Sequence, residues 1–250
     1  MPNTQALKQL LKPLESGTRI PLGHGRADSC LLGGLRQDAL HEVFAEVAGA
    51  EAAATSFALG LARRVLGKHK WLVWVRQDFA ALEAGEIFAA GLLDLGLDPA
   101  RVLMVRAHDA RDVLRAGADA LANKGVGAVL LEPWGEAKVF DLLASRKLTL
   151  LAQHHATAAL VLRFSADPLP SAAETRWSIA PAPSRAGDEN WGMPRLDAAL
   201  TRNRHGNLGR WTMEWDCNNG LFAEAHPGAR PAAPADRQAE AALEGLRAAG

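Results

Sequence analysis

The chain has 250 residues, 48% of them hydrophobic, and its 28 lysines and arginines balance its 28 aspartates and glutamates. That apolar fraction supports one sizeable core and excludes global disorder. The zero formal charge excludes nucleic-acid binding carried by bulk electrostatics and leaves only local patches.

The length fits one α/β domain with extensions. Cys30 and Cys217 stand far apart and form no CxxC pair, which argues against a structural zinc site or a disulfide framework and for a reducing, cytoplasmic setting. The opening MPNTQALKQLLKPLES lacks the basic and apolar regions of a secretory signal. No run of about 18 apolar residues predicts a membrane span.

In chain order, Leu7, Leu10, Leu11 and Leu14 predict a short N-terminal helix over 4–15, within a segment 1–17 set apart from the main domain. The Gly-rich stretch before residue 40 reads as two short strands around turns. Residues 40–44 predict a buried strand, followed by a small-residue loop and an apolar helix to Leu66. KWLVWVR (70–76) predicts a strand buried on both faces. Asp78 is placed to cap one helix over 79–95, closed by Gly96.

RVLMVR (101–106) predicts the next strand, and Asp109 the cap of a helix over 110–123. GAVLLEP then gives a strand ending on Glu132. Leu143, Lys147, Leu150, Leu151 and His154 share helical spacing, which predicts one long helix over 137–155. TAALVLRF and TRWSIAP predict two further strands. After a Pro/Ser/Gly loop, RWTMEWDCNNGLF has the alternation and Asn-Gly turn of a hairpin. The Pro/Ala-rich tail 224–250 carries a short helical pattern and little that would tie it down. Strands alternating with helices from 40 to 164 predict a mostly parallel central sheet flanked by helices, with antiparallel strands at the C-terminal end.

The strand, loop and helix over 40–66 have the order of a phosphate-binding loop. Ala45, Glu46, Gly49, Glu51, Thr55 and Ser56 line that loop and helix start, yet no lysine lies between Phe44 and Arg63. The missing side chain is the one that contacts the terminal phosphates. Glu46 and Glu51 bring carboxylates where phosphates would sit, which is repulsive. Glu132 ends its strand where a metal-binding acid would stand. Without lysine or phosphates a cation has little to bridge there, so a structural role is expected. Asp78 either orients water or caps a helix, and the cap fits its position better. Arg202, Arg204 and Arg210 form the one basic cluster, readable as a phosphate contact or as a solvated turn. Trp177, Trp191, Trp211 and Trp215 could anchor a partner, although core packing is the commoner fate of such residues.

In their order, GGLRQDALHEVF, AVLLEP and LTRNRHGNLGRWTMEWDCNNGLF resemble the segments that build the bacterial recombinase RecA and its relatives. LHEVFAEVAGAEAAATSFALGLARR is most similar to the ImuA branch, also called SulA-like: RecA-like proteins of bacterial inducible mutagenesis. The resemblance covers roughly residues 18–223. It implies a RecA-like core over 18–223 and a role in SOS-induced translesion DNA synthesis. The implied partners are an ImuB-like Y-family protein and an error-prone replicative-type polymerase. The family's DNA-binding loops correspond to 133–138 and 165–174, which are short and carry few basic residues, with Arg163 flanking the second. Together with the degenerate loop, this predicts a scaffold that is no enzyme and needs no cofactor or metal. The alternatives are a residual DNA-dependent ATPase and a cell-division inhibitor.

Overall fold

The computed structural model describes residues 17–183 and 194–225. The expected N-terminal helix, Trp191 and the tail beyond Ala225 lie outside the described residues. A two-stranded antiparallel ribbon, β1 (Arg19–Ile20) and β2 (Leu35–Arg36), encloses α1 (Gly25–Cys30). That helix stands in the stretch expected to hold only strands and turns. Asp28 holds it by accepting from the Leu22 and Gly23 amides, and His24 caps it.

The rest is built on a nine-stranded sheet. Its elements in chain order are β3 (Leu40–Ala45), α2 (Glu51–Val65), β4 (Trp71–Gln77), α3 (Asp78–Ala84), α4 (Ala89–Asp94), β5 (Val102–Ala107), α5 (Ala110–Leu121), β6 (Val126–Glu132) and α6 (Leu142–His155). β7 (Ala158–Arg163), β8 (Thr175–Pro181), β9 (Arg195–Asn203), β10 (Gly209–Asp216) and β11 (Leu221–Glu224) complete it. The spatial order is β11-β10-β9-β8-β3-β7-β6-β4-β5. All pairings from β8 through β3 to β5 are parallel, and β8-β9, β9-β10 and β10-β11 are antiparallel. This is a RecA-like core: β3 and β6 are separated by β7, and all three end at the same edge of the sheet.

Each strand of the parallel half is buried on both faces, and its side chains alternate between two cores. Val43, Trp74, Leu130 and Leu160 face the α2 and α4 side, packed on Ala54, Phe57, Leu61 and Leu92. Val75, Val129, Leu131 and Val161 face α5 and α6, packed on Val113, Leu121, Leu148 and Ala152. Trp177, Trp211 and Trp215 are all buried in the first core, so these three tryptophans pack rather than anchor a partner.

Two helices differ from expectation. The single helix over 79–95 is two short ones, because Gly85 takes φ +78° and cannot continue a right-handed turn. Gln77 takes the cap position, and Asp78 is the first helical residue. The second helix closes at Gly96 as read, with φ +75° and the Leu97 amide bonded back to Leu92 O at 2.8 Å. The helix expected over 137–155 begins only at Leu142, where the Asp141 side chain accepts from the Ala144 amide.

Candidate functional site

Residues 46–50 connect the end of β3 to the start of α2. The Glu46 amide continues the sheet by donating to Ile179 O at 2.9 Å, and Gly49 takes φ +88°, a conformation that favours glycine. Counted from the strand end, the pattern GxxxxGK[ST] falls on 45–52. Ala45 and Ala50 then occupy the two glycine positions, Glu51 the lysine position and Ala52 the hydroxyl position. Thr55 and Ser56 fall in the second turn of α2, half-buried and past the loop. At the lysine position the side chain therefore has the opposite charge. Glu51 suits the positive end of α2 as an acidic residue in the first turn of the helix.

The other loop carboxylate is taken up by the protein. Arg210 on β10 reaches over β9 and β8 and grips Glu46 in a two-pronged pair, Nη1 to Oε1 at 2.9 Å and Nη2 to Oε2 at 2.7 Å. The same guanidinium holds Asp197 through Nε to Oδ1 at 2.8 Å and Nη2 to Oδ2 at 2.9 Å. These bonds, first those to Glu46 and then those to Asp197, raise the Arg210 pKa above its ordinary value. Arg210 thus straps the loop to the antiparallel half of the sheet.

Glu132, one strand beyond β7, is almost fully buried. Trp74 Nε1 donates to its Oε2 at 2.8 Å and Arg76 Nε to its Oε1 at 2.9 Å. Burial pushes the Glu132 carboxyl up, against the Arg76 charge that draws it down. Arg76 spends its other nitrogens on Gly85 O at 2.7 Å and Ala80 O at 3.1 Å. Both carboxylate oxygens where a metal-binding acid would stand are therefore occupied by the chain's own donors. Asp78, at the end of β4, accepts from Arg106 Nε at 3.0 Å in the open.

The two short connections at this end of the sheet are tied down. Arg163 Nη2 donates to Gly135 O at 3.0 Å and Glu136 O at 2.8 Å, while its guanidinium lies 5.8 Å from the Phe44 and Phe140 rings. Trp134 pairs with Phe164 across an isolated bridge, and its amide donates to Gln77 Oε1 at 3.0 Å. The Asp167 amide reaches Glu136 Oε1 at 3.4 Å and links the two connections.

Of the three basic residues grouped by sequence, Arg210 is separated in space from Arg202 and Arg204. Arg210 lies level with Phe44, near the loop. The Arg204 amide donates to Glu174 O, which places Arg204 at the other end of the parallel strands, where its side chain is exposed. Arg202 donates to Ala173 O at 3.1 Å. Among the described residues no group of three or more His, Cys, Asp or Glu could hold a metal ion. No helix among them is long and apolar enough to cross a membrane.

Sequence reading passed over Arg76, Asp197 and the inward role of Arg163. A signal existed for Arg76: a charged residue closing an apolar run, level with Glu132 once the strands are paired.

The chain is 34% identical over 225 residues to Protein ImuA of Caulobacter vibrioides strain NA1000 / CB15N, covering 80% of this chain and 87% of that protein. It belongs to the ImuA family. Protein ImuA of the ATCC 19089 strain matches to the same extent. No family model matches. For an ImuA-family chain, the strapped loop and the filled Glu132 pocket are features of a RecA-like core whose phosphate-binding positions hold other chemistry.

Proposed function

We propose that this ImuA-family chain is a non-catalytic RecA-like accessory scaffold in SOS-induced, error-prone translesion DNA synthesis. In that setting it binds an ImuB-like Y-family protein and an error-prone replicative-type polymerase. The observation that carries the reading is the carboxylate of Glu51 at the lysine position of a loop whose other acid, Glu46, is held by Arg210. A triphosphate brought to this loop would meet negative charge where its own charge must be neutralised. Three further observations support it: each Glu132 oxygen accepts from Trp74 or Arg76, Arg163 is turned inward, and the connections over 133–138 and 165–174 are short and tied. A sheet relieved of holding nucleotide still presents helix faces for protein contact.

Two measurements test the proposal. Calorimetry with ATP and Mg²⁺, with and without single-stranded DNA, is expected to show no heat of binding. Saturable micromolar binding would overturn the scaffold in favour of a residual ATPase. Affinity capture from damage-treated cells is expected to bring down the ImuB-like protein, whereas capture of the tubulin-like division protein in its place would point to a division inhibitor.

A further inference from the structure

Among the described residues, α5 and α6 are the helices packed on the second core, and between them runs an open furrow of about 1000 Å³ at its wider end. Its floor is apolar, formed by Leu114, Val139, Leu143, Leu150 and Leu151. Leu143 is 74% exposed and Leu150 66%, although both sit on a helix whose opposite side packs on the core. Exposed leucines that line one concave strip are a contact surface more often than scattered ones are.

The rim has a charge imbalance. Asp109 and Asp141 are engaged as caps of α5 and α6, and Asp112 pairs with Arg115 at 2.8 Å. Asp119 is the acid left on the rim. Against it stand Lys138, Arg146 and Lys147, which form no ion pair among the described residues, and Arg111, whose charge acts on Asp109. Leu143 and Leu150 are seven residues apart, so they lie about 10 Å from one another along α6. That is the spacing of apolar anchors at i and i+7 on an incoming helix laid along the furrow.

We infer that the α5–α6 furrow docks an acidic amphipathic helix of a partner protein, leucine-like side chains on the floor and carboxylates toward Lys138, Arg146 and Lys147. A nucleic-acid strand fits the furrow less well, because its floor is aliphatic and His154 is the one ring among its lining residues, too few to stack successive bases. The inference rests on the reading that the chain works by binding partners, and it specifies one surface and one partner chemistry for that role.

The test is fluorescence anisotropy of the full chain with a labelled synthetic helix bearing leucine along one face and glutamate on the other. Saturable micromolar binding is expected, weakened about tenfold or more by Leu150→Glu, with circular dichroism unchanged because Leu150 is solvent-exposed. Lys147→Glu is expected to weaken it as well, and a probe with lysine in place of glutamate is expected to bind that variant better than the acidic probe does. Failure to saturate, indifference to Leu150→Glu, or displacement by single-stranded DNA in preference to the acidic helix overturns the inference. The two proposals fail separately. Capture of the ImuB-like protein by a chain that ignores the acidic helix removes the furrow and leaves the scaffold standing. Binding of the helix at the furrow with no partner captured from cells does the reverse.

Discussion

At the scale of single residues, the sheet holds two polar groups whose burial makes them sensitive reporters. His41 is fully buried, its Nδ1 2.8 Å from Thr175 Oγ1 and its Nε2 2.8 Å from Arg36 O. Burial lowers its pKa from the ordinary 6.5 to about 4. Between those values the unfolded chain takes up a proton that the native ring refuses, so acid favours unfolding. Stability is expected to fall by about 1.4 kcal/mol for each pH unit lost across that window through this group alone. Urea denaturation of His41→Gln beside wild type measures it: the variant's curve should lose that slope, and parallel curves would refute the assignment. Arg76 and Glu132 make the second case. Arg76→Leu would leave Glu132 buried without its charge partner, at a cost of about 3–5 kcal/mol, whereas Arg76→Leu with Glu132→Leu should cost far less. A double-mutant cycle in urea reads the difference. Additive single effects would mean that the two side chains act independently.

At the scale of elements, α2 is held against the antiparallel half by close packing. A Cβ at Gly60 would lie 2.5 Å from Phe222 Cζ, and Phe222 is itself fixed between Phe57 at 5.0 Å and Trp215 at 4.7 Å. Gly60→Ala should therefore destabilise by about 1–3 kcal/mol despite the helix propensity that alanine adds. A thermal melt that rises would show that the ring moves aside freely. The elements also show what a sequence discloses. The apolar run WLVWVR announced a strand buried on both faces, GAVLLE announced a further strand, and the alternation around Asn218-Asn219-Gly220 announced the closing hairpin, because each signal is local. Leu143 and Leu150 have the spacing of a core face, yet the face turned to the sheet is the smaller one of Ala144, Ser145, Leu148, Thr149 and Ala152. Small residues let α6 approach the sheet closely, and the large ones are left on the furrow. The loss of the lysine was legible in the sequence. The replacements were not, because Arg210 and Glu46 lie far apart in sequence and meet only once four strands are in register.

At the scale of the whole molecule, the site's remodelling is spread over three separate tethers rather than one missing side chain. Arg210 straps the loop to β10, Arg76 fills the Glu132 pocket between β4 and β6, and Arg163 holds the connection after β6 from β7. Each is an arginine whose donors meet oxygens at the same end of the parallel sheet, and on the scaffold proposal each takes up an acceptor or opening that a nucleotide and its cation would need. Restoring the two signature side chains should then be insufficient. Glu51→Lys with Ala52→Thr places a lysine and a hydroxyl at their positions in the pattern, but Ala45 and Ala50 still carry methyl groups where the loop backbone must approach a phosphate. Glu46 still occupies the loop, and Glu132 remains held by Trp74 and Arg76. Calorimetry of this double variant is expected to show no ATP binding in the micromolar range, in a fold intact by circular dichroism. Adding Glu46→Gly and Arg76→Gln, which frees the loop and the Glu132 carboxylate together, is the combination in which binding should first emerge. Micromolar affinity in the simple double variant would mean that the tethers are incidental and that the lysine alone separates this molecule from a nucleotide-binding one.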